Sequence, residues 1–286
     1  MIGMRATAPA KINLLLRVRS RDATGMHPLT SLVQSIGWHD ILTLSKSDED
    51  ELSIAGADLP TDGTNLVWKA VHALRSIHRV DRPASFGLTK RVPASAGLGG
   101  GSSDAAAALR LYTAYCELDE SELDDVAARV GADVSFCLHG GLRWMEGYGE
   151  RLSGPLGHAD DYWVVVAVPP FELDTPRVYQ AWDRLGEPEG SAATDSAVPP
   201  SLRSHGPMLN DLYPAAVHCE PALDDWRAEM ETRWSRPVLL SGSGPSLFAF
   251  FADEVEAADG LAAVPGEARA SFSTSPIEYG ARVDGL

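Results

Sequence analysis

The sequence predicts a mixed fold of helices and strands in two domains, and three observations support this prediction. The chain has 286 residues, a length that favours one or two domains over three. Its first half is rich in short runs of β-branched and apolar residues, whereas its second half mixes helical and strand-like patterns. Its composition, with 44% hydrophobic and 22% charged residues, is that of a globular protein. No sharp change of composition separates the halves, and we place the boundary at residue 155, giving domains 1–155 and 156–286.

The elements of the first half follow from the spacing of apolar residues and from the turn residues between the runs. The predicted strands are 11–18, 29–36, 40–44, 51–55 and 85–92. The predicted helices are 65–79, 102–116 and 122–130. Ser121, with Asp124 three residues later, resembles a capping box at the start of the last of these helices.

In the second half, helices and short strands are predicted to alternate. A hairpin is expected over 142–152, followed by the strands 162–168, 237–240, 246–251 and 268–273. The predicted helices are 176–185, 214–218, 222–234 and 255–263. The segment 186–207 is rich in Pro, Ser, Gly and Ala and is predicted to be a mobile surface loop.

Charge and composition exclude several classes of protein. The net charge of -16 argues against a nucleic-acid-binding surface, which needs a basic patch. No segment approaches the roughly 18 apolar residues of a membrane span, and the N-terminus lacks the pattern of a signal peptide, so we expect no membrane partner and a cytoplasmic location. The three cysteines are too far apart for a redox or metal motif and are predicted to be reduced core residues.

The stretch "PASAGLGGGSSDAAAAL" at 93–109 combines a glycine-rich loop with a strong helix former. Glycines let main-chain N–H groups approach a ligand, and the start of a helix adds unpaired N–H groups and the positive end of its dipole. The junction therefore predicts a phosphate site, and Ser102 and Ser103 add hydroxyl groups that can reach phosphate oxygens or Mg²⁺. The alternative is a glycine loop that binds no ligand.

Three common phosphate-binding classes do not fit this stretch. A Walker A loop requires Gly-Lys, a pair that occurs nowhere in the chain. The dinucleotide-binding fingerprint requires a third glycine where Ser102 stands. The His-Arg-Asp and Asp-Phe-Gly motifs of protein kinases are also absent from the sequence.

Three ordered motifs resemble those of the GHMP kinases: "APAKINLLL" at 8–16, "PASAGLGGGSSDAA" at 93–106 and "LSGSGPSLFAFF" at 240–251. The resemblance implies an α+β fold with an N-terminal ribosomal-protein-S5-like domain, a C-terminal ferredoxin-like domain and the site in the cleft between them. It also implies ATP-dependent phosphorylation of an alcohol. The shorter motifs "GMH" at 25–27, "GADVSF" at 131–136 and "NDL" at 210–212 resemble members of the non-mevalonate isoprenoid pathway, whose small-molecule substrate carries a cytidine diphosphate group.

The resemblance assigns the chemistry to two residues. Asp133, expected between a helix and an apolar strand, would orient and deprotonate the acceptor hydroxyl. Lys11 would pair with Asp133 and help to hold the transferred phosphoryl group, since a buried ammonium requires a partner. The alternatives are an ordinary turn aspartate and a lysine on an edge strand that reaches solvent. Asn13 shares a strand face with Lys11 and would be a substrate ligand.

The resemblance also implies the residues that bind the nucleotide. The phosphates would be held by Gly97, Gly99, Gly100, Gly101, Ser102 and Ser103, and Ser103 is a candidate Mg²⁺ ligand. Asn65 and Lys90 match positions near the adenosine, although Asn65 is equally consistent with a helix N-cap. Asp104 departs from the family pattern, which has asparagine there in many members.

For the cytidine group, the resemblance points to His27 and Tyr179, with Thr175 as a further substrate contact or an N-cap. Met26 stands where the family usually has tyrosine, which replaces an aromatic contact by a thioether. The turn "SGSGPS" at 241–246 predicts a second cluster of main-chain N–H groups near the cleft. Two other functions remain open: a kinase for homoserine or a mevalonate-type alcohol, and a nucleotide-binding relative without activity. The presence of both Lys11 and Asp133 disfavours the inactive relative.

Overall fold

The computed structural model describes residues 3–157 and 161–285, which form two β-sheets with helices packed against them. The first sheet has seven strands in the order β11-β1-β2-β4-β3, and β5 joins β2 and pairs with β6. Its strands are β1 (Met4–Val18), β2 (Leu29–Lys46), β3 (Glu51–Ala55), β4 (Ala84–Thr89), β5 (Leu142–Gly147), β6 (Arg151–Leu152) and β11 (Arg282–Val283). All pairings are antiparallel except that of β3 with β4.

Four helices accompany the first sheet, and the longest of them packs directly on its central strands. The helices are α1 (Leu66–His78), α2 (Gly100–Cys116), α3 (Leu123–Val130) and α4 (Val134–His139). The four alanines at 105–108 in α2 are fully buried, and their small side chains let the helix approach β1 and β2 closely. This contact fixes the start of α2 relative to β1.

The second sheet is antiparallel, with the order β10-β7-β9-β8. Its strands are β7 (Trp163–Val168), β8 (Leu239–Leu240), β9 (Leu247–Phe251) and β10 (Ala270–Thr274). The helices of this half are α5 (Thr175–Arg184), α6 (Tyr213–Cys219), α7 (Ala222–Trp234) and α8 (Glu254–Ala262). Ile12 and Leu14 of β1 share a buried cluster with Val164 and Val166 of β7, so one apolar core joins the two sheets.

The two halves of the chain also exchange main-chain hydrogen bonds. The N–H of Leu16 in β1 donates to the carbonyl of Leu209 at 2.8 Å, and the N–H of Asp211 donates back to Leu16 at 3.0 Å. The Asp211 carboxylate, which is 3% exposed, accepts from the N–H groups of Val18 and Gly190. Strand β11 returns to pair with β1, so the end of the described chain packs with its first half.

Most predicted elements are present, with four corrections. The predicted strands 29–36 and 40–44 are one strand, β2. The apolar run after Asp133 is the helix α4 and not a strand: the N–H of Cys137 donates to the carbonyl of Asp133, and the N–H of Gly140 donates to the carbonyl of Phe136, both with helical spacing. Ser121 does not cap a helix; the Asp119 side chain accepts from the Ser121 N–H instead. The segment 186–207 contains two 3₁₀ turns and buries Val198 and Leu202, so part of it belongs to the core.

The cysteine and membrane predictions have mixed outcomes. Cys116, Cys137 and Cys219 are free thiols, but only Cys137 is buried in the core. Within 3–157 and 161–285, no helix combines the length and apolar character needed to cross a bilayer.

Candidate active site

A cavity of about 880 Å³ lies where segments from both halves of the chain meet. Most of the predicted site residues line it, namely Lys11, Asn13, His27, Gly97, Gly99, Gly100, Gly101, Ser102, Asp133, Thr175 and Tyr179. Its volume falls in the range of about 300–1,000 Å³ that is typical of small-molecule sites. Three predicted residues, Asn65, Lys90 and Ser103, do not line it.

Helix α2 opens directly onto the cavity. Its first helical hydrogen bond runs from the N–H of Ser103 to the carbonyl of Gly99 at 2.9 Å. The N–H groups of Gly100, Gly101 and Ser102 therefore have no acceptor within the helix, and all three residues line the cavity. Unpaired N–H groups at the positive end of a helix dipole favour an anion such as a phosphate group.

The glycines before α2 are required by close packing as well as by backbone shape. Gly97 has a φ of +75°, and a Cβ atom there would lie 2.3 Å from the carbonyl oxygen of Ser241. Gly99 has a φ of +69°, and its Cβ would lie 2.9 Å from Cγ of Lys11. Residues with a side chain rarely adopt this backbone conformation, and here the side chain would also collide with Ser241 or Lys11. The loop is thus shaped around Lys11 and the turn at Ser241.

Lys11 and Asp133 form an ion pair inside the cavity. Nζ of Lys11 lies 3.3 Å from Oδ2 of Asp133 and donates to Oδ1 of Asn13 at 2.7 Å. The Lys11 side chain is 5% exposed, whereas that of Asp133 is 29% exposed. Asn13 is itself fixed by donating to Oγ of Ser31 at 2.8 Å. The edge-strand alternative for Lys11 is wrong because the residue is buried against β2.

Asp133 occupies the residue immediately before α4. Its side chain does not cap that helix, and its main-chain carbonyl accepts from the N–H of Cys137 at 2.9 Å. The carboxylate is therefore held by a rigid backbone and points into the cavity, where it is free to accept a hydrogen bond from a ligand hydroxyl.

Lys90 lies beneath the start of α2 in a buried cluster of charges. Its ammonium donates to Asp40 and, at 2.7 Å, to Asp104. Asp40 also accepts from the main-chain N–H groups of Arg91 and Val92. Burial alone would lower the pKa of Lys90, but the charges of Asp104 and Asp40 outweigh it and the pKa is raised. Lys90 thus stays charged and supports the glycine loop from below instead of facing the cavity.

Asp104 is the residue of this cluster whose charged form is least stabilised by its surroundings. It is 3% exposed, and its Oδ1 atom has no hydrogen-bond partner among the described residues. Burial raises its pKa to about 7, the nearby charge of Asp40 adds to the effect, and Lys90 opposes it. Two carboxylates around one ammonium give the cluster a surplus negative charge that a proton on Asp104 removes.

The side chains of Asn65 and Ser103 are placed within the protein structure and not at the cavity wall. The Asn65 side chain caps α1 by accepting from the N–H of Val67 at 2.9 Å, and it donates to the carbonyl of Pro60. The Ser103 hydroxyl is buried inside the packed face of α2, so it does not reach a metal in the cavity. Ser102 carries the hydroxyl at the cavity wall.

His27 closes the opposite end of the cavity, where it joins the two halves of the chain. Its Nδ1 lies 3.0 Å from the carbonyl of Arg19, and Nε of Arg21 donates to its Nε2 at 3.1 Å. Oδ1 of Asp183 also lies 3.3 Å from Nε2 of His27. Nη2 of Arg21 also pairs with Asp183 of α5 at 2.8 Å. Both ring nitrogens of His27 are therefore engaged by protein groups.

Tyr179 and Thr175 reach the same cavity from α5. The Tyr179 ring lies 5.3 Å from the ring of His27, centroid to centroid. Burial raises the pKa of Tyr179, with a smaller contribution from the charge of Asp133, so its hydroxyl stays protonated. Thr175 shares a hydrogen bond of 2.7 Å with Ser243. The N-cap of α5 is Asp174, so the capping alternative for Thr175 is wrong.

The second glycine turn lies beside Lys11. A Cβ atom on Gly242, which has a φ of +59°, would lie 3.2 Å from Oδ1 of Asn13 and 3.5 Å from Nζ of Lys11. Oγ of Ser241 donates to the carbonyl of Gly97 at 2.9 Å, so the two glycine turns are hydrogen-bonded to each other. The turn predicted to lie near the cleft is thus in direct contact with the ion pair.

Sequence reasoning missed Asp40, Arg21 and Asp183. Asp40 lies inside a strand, and its partner Lys90 is 50 residues away along the chain. Arg21 and Asp183 come from different halves of the chain. Spacing in a sequence carries no signal for such pairs. The one signal in the sequence was a charged residue, Asp40, within a largely apolar strand.

Comparison with known proteins identifies the class to which this fold and cavity belong. Residues 65–141 match the family model described as GHMP kinases N terminal domain. A protein of Pseudarthrobacter chlorophenolicus is 34% identical over 282 residues, covering 91% of this chain and 88% of its own length. A protein of Azorhizobium caulinodans is 41% identical over 261 residues, covering 87% and 89%. The chain therefore belongs to the GHMP kinase family.

Within that family, both of these relatives are named 4-diphosphocytidyl-2-C-methyl-D-erythritol kinase. A crystal structure of 4-(cytidine 5'-diphospho)-2C-methyl-D-erythritol kinase superposes with a TM-score of 0.79 and 32% identity, over 96% of this chain and 99% of that one. The homoserine kinase of Cytophaga hutchinsonii shares the fold, with a TM-score of 0.71, 18% identity and coverage of 99% and 98%.

Proposed function

We propose that this protein transfers the terminal phosphoryl group of ATP to the 2-hydroxyl of 4-diphosphocytidyl-2-C-methyl-D-erythritol, a step of the non-mevalonate isoprenoid precursor pathway. The observation that carries this proposal is the Lys11–Asp133 pair, which faces the same cavity as the open end of α2. The named relatives supply the choice of acceptor.

The nucleotide phosphates would bind at the start of α2. Main-chain N–H groups of Gly100, Gly101 and Ser102 are the donors, and Gly97 and Gly99 keep the approach free of side chains. Such fixed donors are needed because the protein carries a net charge of -16, whose long-range field repels anions. Lys90 and Asn65 would act indirectly, by holding this loop and α1 in place.

Asp133 would act as the general base. Its carboxylate accepts the proton of the acceptor hydroxyl while the hydroxyl oxygen attacks the terminal phosphorus atom of ATP; the bond from that phosphorus to the bridging oxygen breaks, and ADP leaves. The Lys11 ammonium, held by Asn13 at 2.7 Å, lies where it can offset the negative charge on the transferred phosphoryl group. Phosphoryl transfer depends mainly on position and charge, and the three side chains fix both.

Magnesium would bind between the nucleotide and the start of α2. Among 3–157 and 161–285 there is no cluster of three or more His, Cys, Asp or Glu residues that could hold a metal ion by itself. This fits Mg²⁺, which is usually held by substrate phosphates, waters and only one or two protein oxygens. Ser102 offers a hydroxyl at the cavity wall. When bound, the ion would supply charge neutralisation at the phosphate oxygens.

The acceptor would occupy the end of the cavity between Asp133 and His27. Tyr179 offers a ring face for the cytosine base, and Thr175 offers a hydroxyl. Nδ1 of the His27 ring faces the Arg19 carbonyl, and Nε2 faces both Arg21 and Asp183, so a hydrogen bond from the ring to the base requires one of these groups to be displaced.

The decisive experiment compares acceptors and one matched pair of variants. Wild-type protein with ATP should form ADP with the cytidine diphosphate acceptor and not with homoserine or mevalonate. Asp133→Asn should lower kcat by about 10²–10⁴, the usual contribution of a positioned base, and leave ATP binding by calorimetry unchanged. Asp125→Asn, on the exposed face of α3, is the control and should keep full activity.

Two results would contradict the proposal. Turnover of homoserine or mevalonate alone would assign the protein to another branch of the family. Full activity in Asp133→Asn would show that a different group accepts the proton.

The division into domains 1–155 and 156–286, and the cytoplasmic location, stay predictions.

A further inference from the structure

Tyr148 lies at the tip of the β5–β6 hairpin and lines the cavity. It stands between Gly147, with a φ of +74°, and Gly149, with a φ of +114°. The carboxylate of Glu150 accepts from the Tyr148 main-chain N–H at 2.6 Å and closes the turn. A tight turn with a glycine on each side of one aromatic residue presents that side chain from a fixed backbone.

One side of this turn packs on the segment that carries Asp133. A Cβ atom on Gly149 would lie 2.6 Å from the carbonyl oxygen of Ala132 and 3.0 Å from its Cβ. Only glycine permits so close an approach in this conformation. The turn is therefore fixed relative to Asp133, the next residue along the chain.

The other side of the turn holds the loop that leads to His27. The Tyr148 hydroxyl donates to Oδ2 of Asp22 and lies 3.2 Å from the hydroxyl of Thr24. Thr24 in turn donates to Oδ1 of Asp22 at 2.5 Å. The hydrogen bonds from Thr24 and then from Tyr148 hold the pKa of Asp22 below its usual range, so the carboxylate remains charged as the acceptor. Met26, in the same loop, is 53% exposed and also lines the cavity.

We infer that Tyr148 is a specificity-determining residue that contacts the acceptor. Its ring forms the cavity wall between Asp133 and the 22–27 loop, and its hydroxyl keeps that loop at the correct distance from Asp133. An anchored phenol ring provides a large contact area at little entropic cost, since its hydroxyl is already fixed. Together with Met26 it gives this end of the cavity an apolar wall. The inference rests on the proposed function, because it takes the Asp133–His27 end as the acceptor end.

Two variants separate the two roles of the side chain. Tyr148→Phe removes the hydrogen bond to Asp22 and keeps the ring, and it should raise the KM for the acceptor by about two- to tenfold. Tyr148→Ala removes the ring as well and should raise that KM by about 30-fold or more. The KM for ATP should change by less than about twofold in both, because the ring lies at the acceptor end. Tyr213→Phe is the matched control, since Tyr213 donates to Asp224 at 2.6 Å on the protein surface.

The outcomes distinguish this inference from the proposed function. If the wild-type protein does not phosphorylate the cytidine diphosphate acceptor, the proposed function fails and the inference falls with it. If the wild type is active and Tyr148→Phe and Tyr148→Ala keep its acceptor KM, only the inference is wrong. An equal rise in the KM for ATP would also overturn it, since it would indicate general damage to the site. If a thermal melt shows that Tyr148→Ala does not fold, the acceptor KM of Tyr148→Phe is compared with that of Tyr213→Phe. A rise in Tyr148→Phe alone supports the inference, and equal values refute it.

Discussion

The buried carboxyl group of Asp104 predicts an unusual dependence of stability on pH. Its pKa is about 7 in the folded protein, mainly because of burial, compared with 3.8 for an ordinary aspartate. Between these values the folded state holds a proton that the unfolded state has released. Stability from this group is therefore fully present below pH 4 and is lost as the pH rises towards 7.

The size of the effect follows from the two pKa values. One pH unit corresponds to about 1.36 kcal/mol per proton. The free energy of unfolding therefore falls by at most roughly 4 kcal/mol between the unfolded-state pKa and the folded-state pKa of Asp104. Asp104→Asn removes the titrating group and keeps an oxygen that can accept from Lys90. The variant should therefore gain stability relative to the wild type as the pH rises, by about 2–4 kcal/mol between pH 4 and 8.

The assay is chemical denaturation followed by tryptophan fluorescence, at pH 4, 5, 6, 7 and 8. The difference in unfolding free energy between variant and wild type cancels the titration of groups that do not interact with Asp104, which leaves out Lys90 and Asp40. It should grow with pH up to about 7 and then level off. Asp58→Asn, at an exposed position, serves as the control and should show a constant difference. A constant difference for Asp104→Asn too would refute the reasoning, because the carboxyl would then titrate alike in both states.

Two further substitutions test the packing of the site. Gly99→Ala places a Cβ atom 2.9 Å from Lys11 at a φ of +69°, so it should cost about 1–3 kcal/mol of stability and lower kcat by at least about tenfold, measured by denaturation and steady-state kinetics. Gly266→Ala, at an exposed position outside the cavity lining, is its control, and full activity is expected because the new atom meets nothing within 4 Å; equal losses would contradict the argument. Asp211→Ala leaves the buried N–H of Val18 without its acceptor and should destabilise the protein by about 1–3 kcal/mol in the same denaturation assay. An unchanged midpoint would show that water replaces the carboxylate.

Local pattern predicted the elements well where a segment's own residues decide its structure. Helix α7 begins and ends at the predicted residues, because its apolar spacing and flanking proline are local signals. The short run after Asp133 was assigned to the wrong class, since a six-residue run that is mostly apolar fits a strand and a buried helix equally well. The two-residue strand β11 has no local signal and forms only because β1 offers a free edge.

The site was predictable to the extent that one segment forms it. The glycine loop and its helix are contiguous, and the resemblance placed Lys11 and Asp133 together, which the distance of 3.3 Å confirms. Lys90 does not line the cavity, and the sequence does not show that Asp40 and Asp104 converge on it. A lysine between two buried carboxylates is a property of tertiary packing, and no spacing rule predicts it.

The hydrogen bond from Ser241 to Gly97 has a consequence for how the protein can be divided. The stretch that matches the family model, 65–141, contains the entire first glycine turn, yet Ser241, which lies 144 positions after Gly97, and Ser246 donate hydrogen bonds to that turn from outside the stretch. As an isolated fragment, residues 65–141 would lack the hydrogen bonds from Ser241 and Ser246 that hold the glycine turn. The shape of the first glycine turn therefore depends on residues from both halves of the polypeptide.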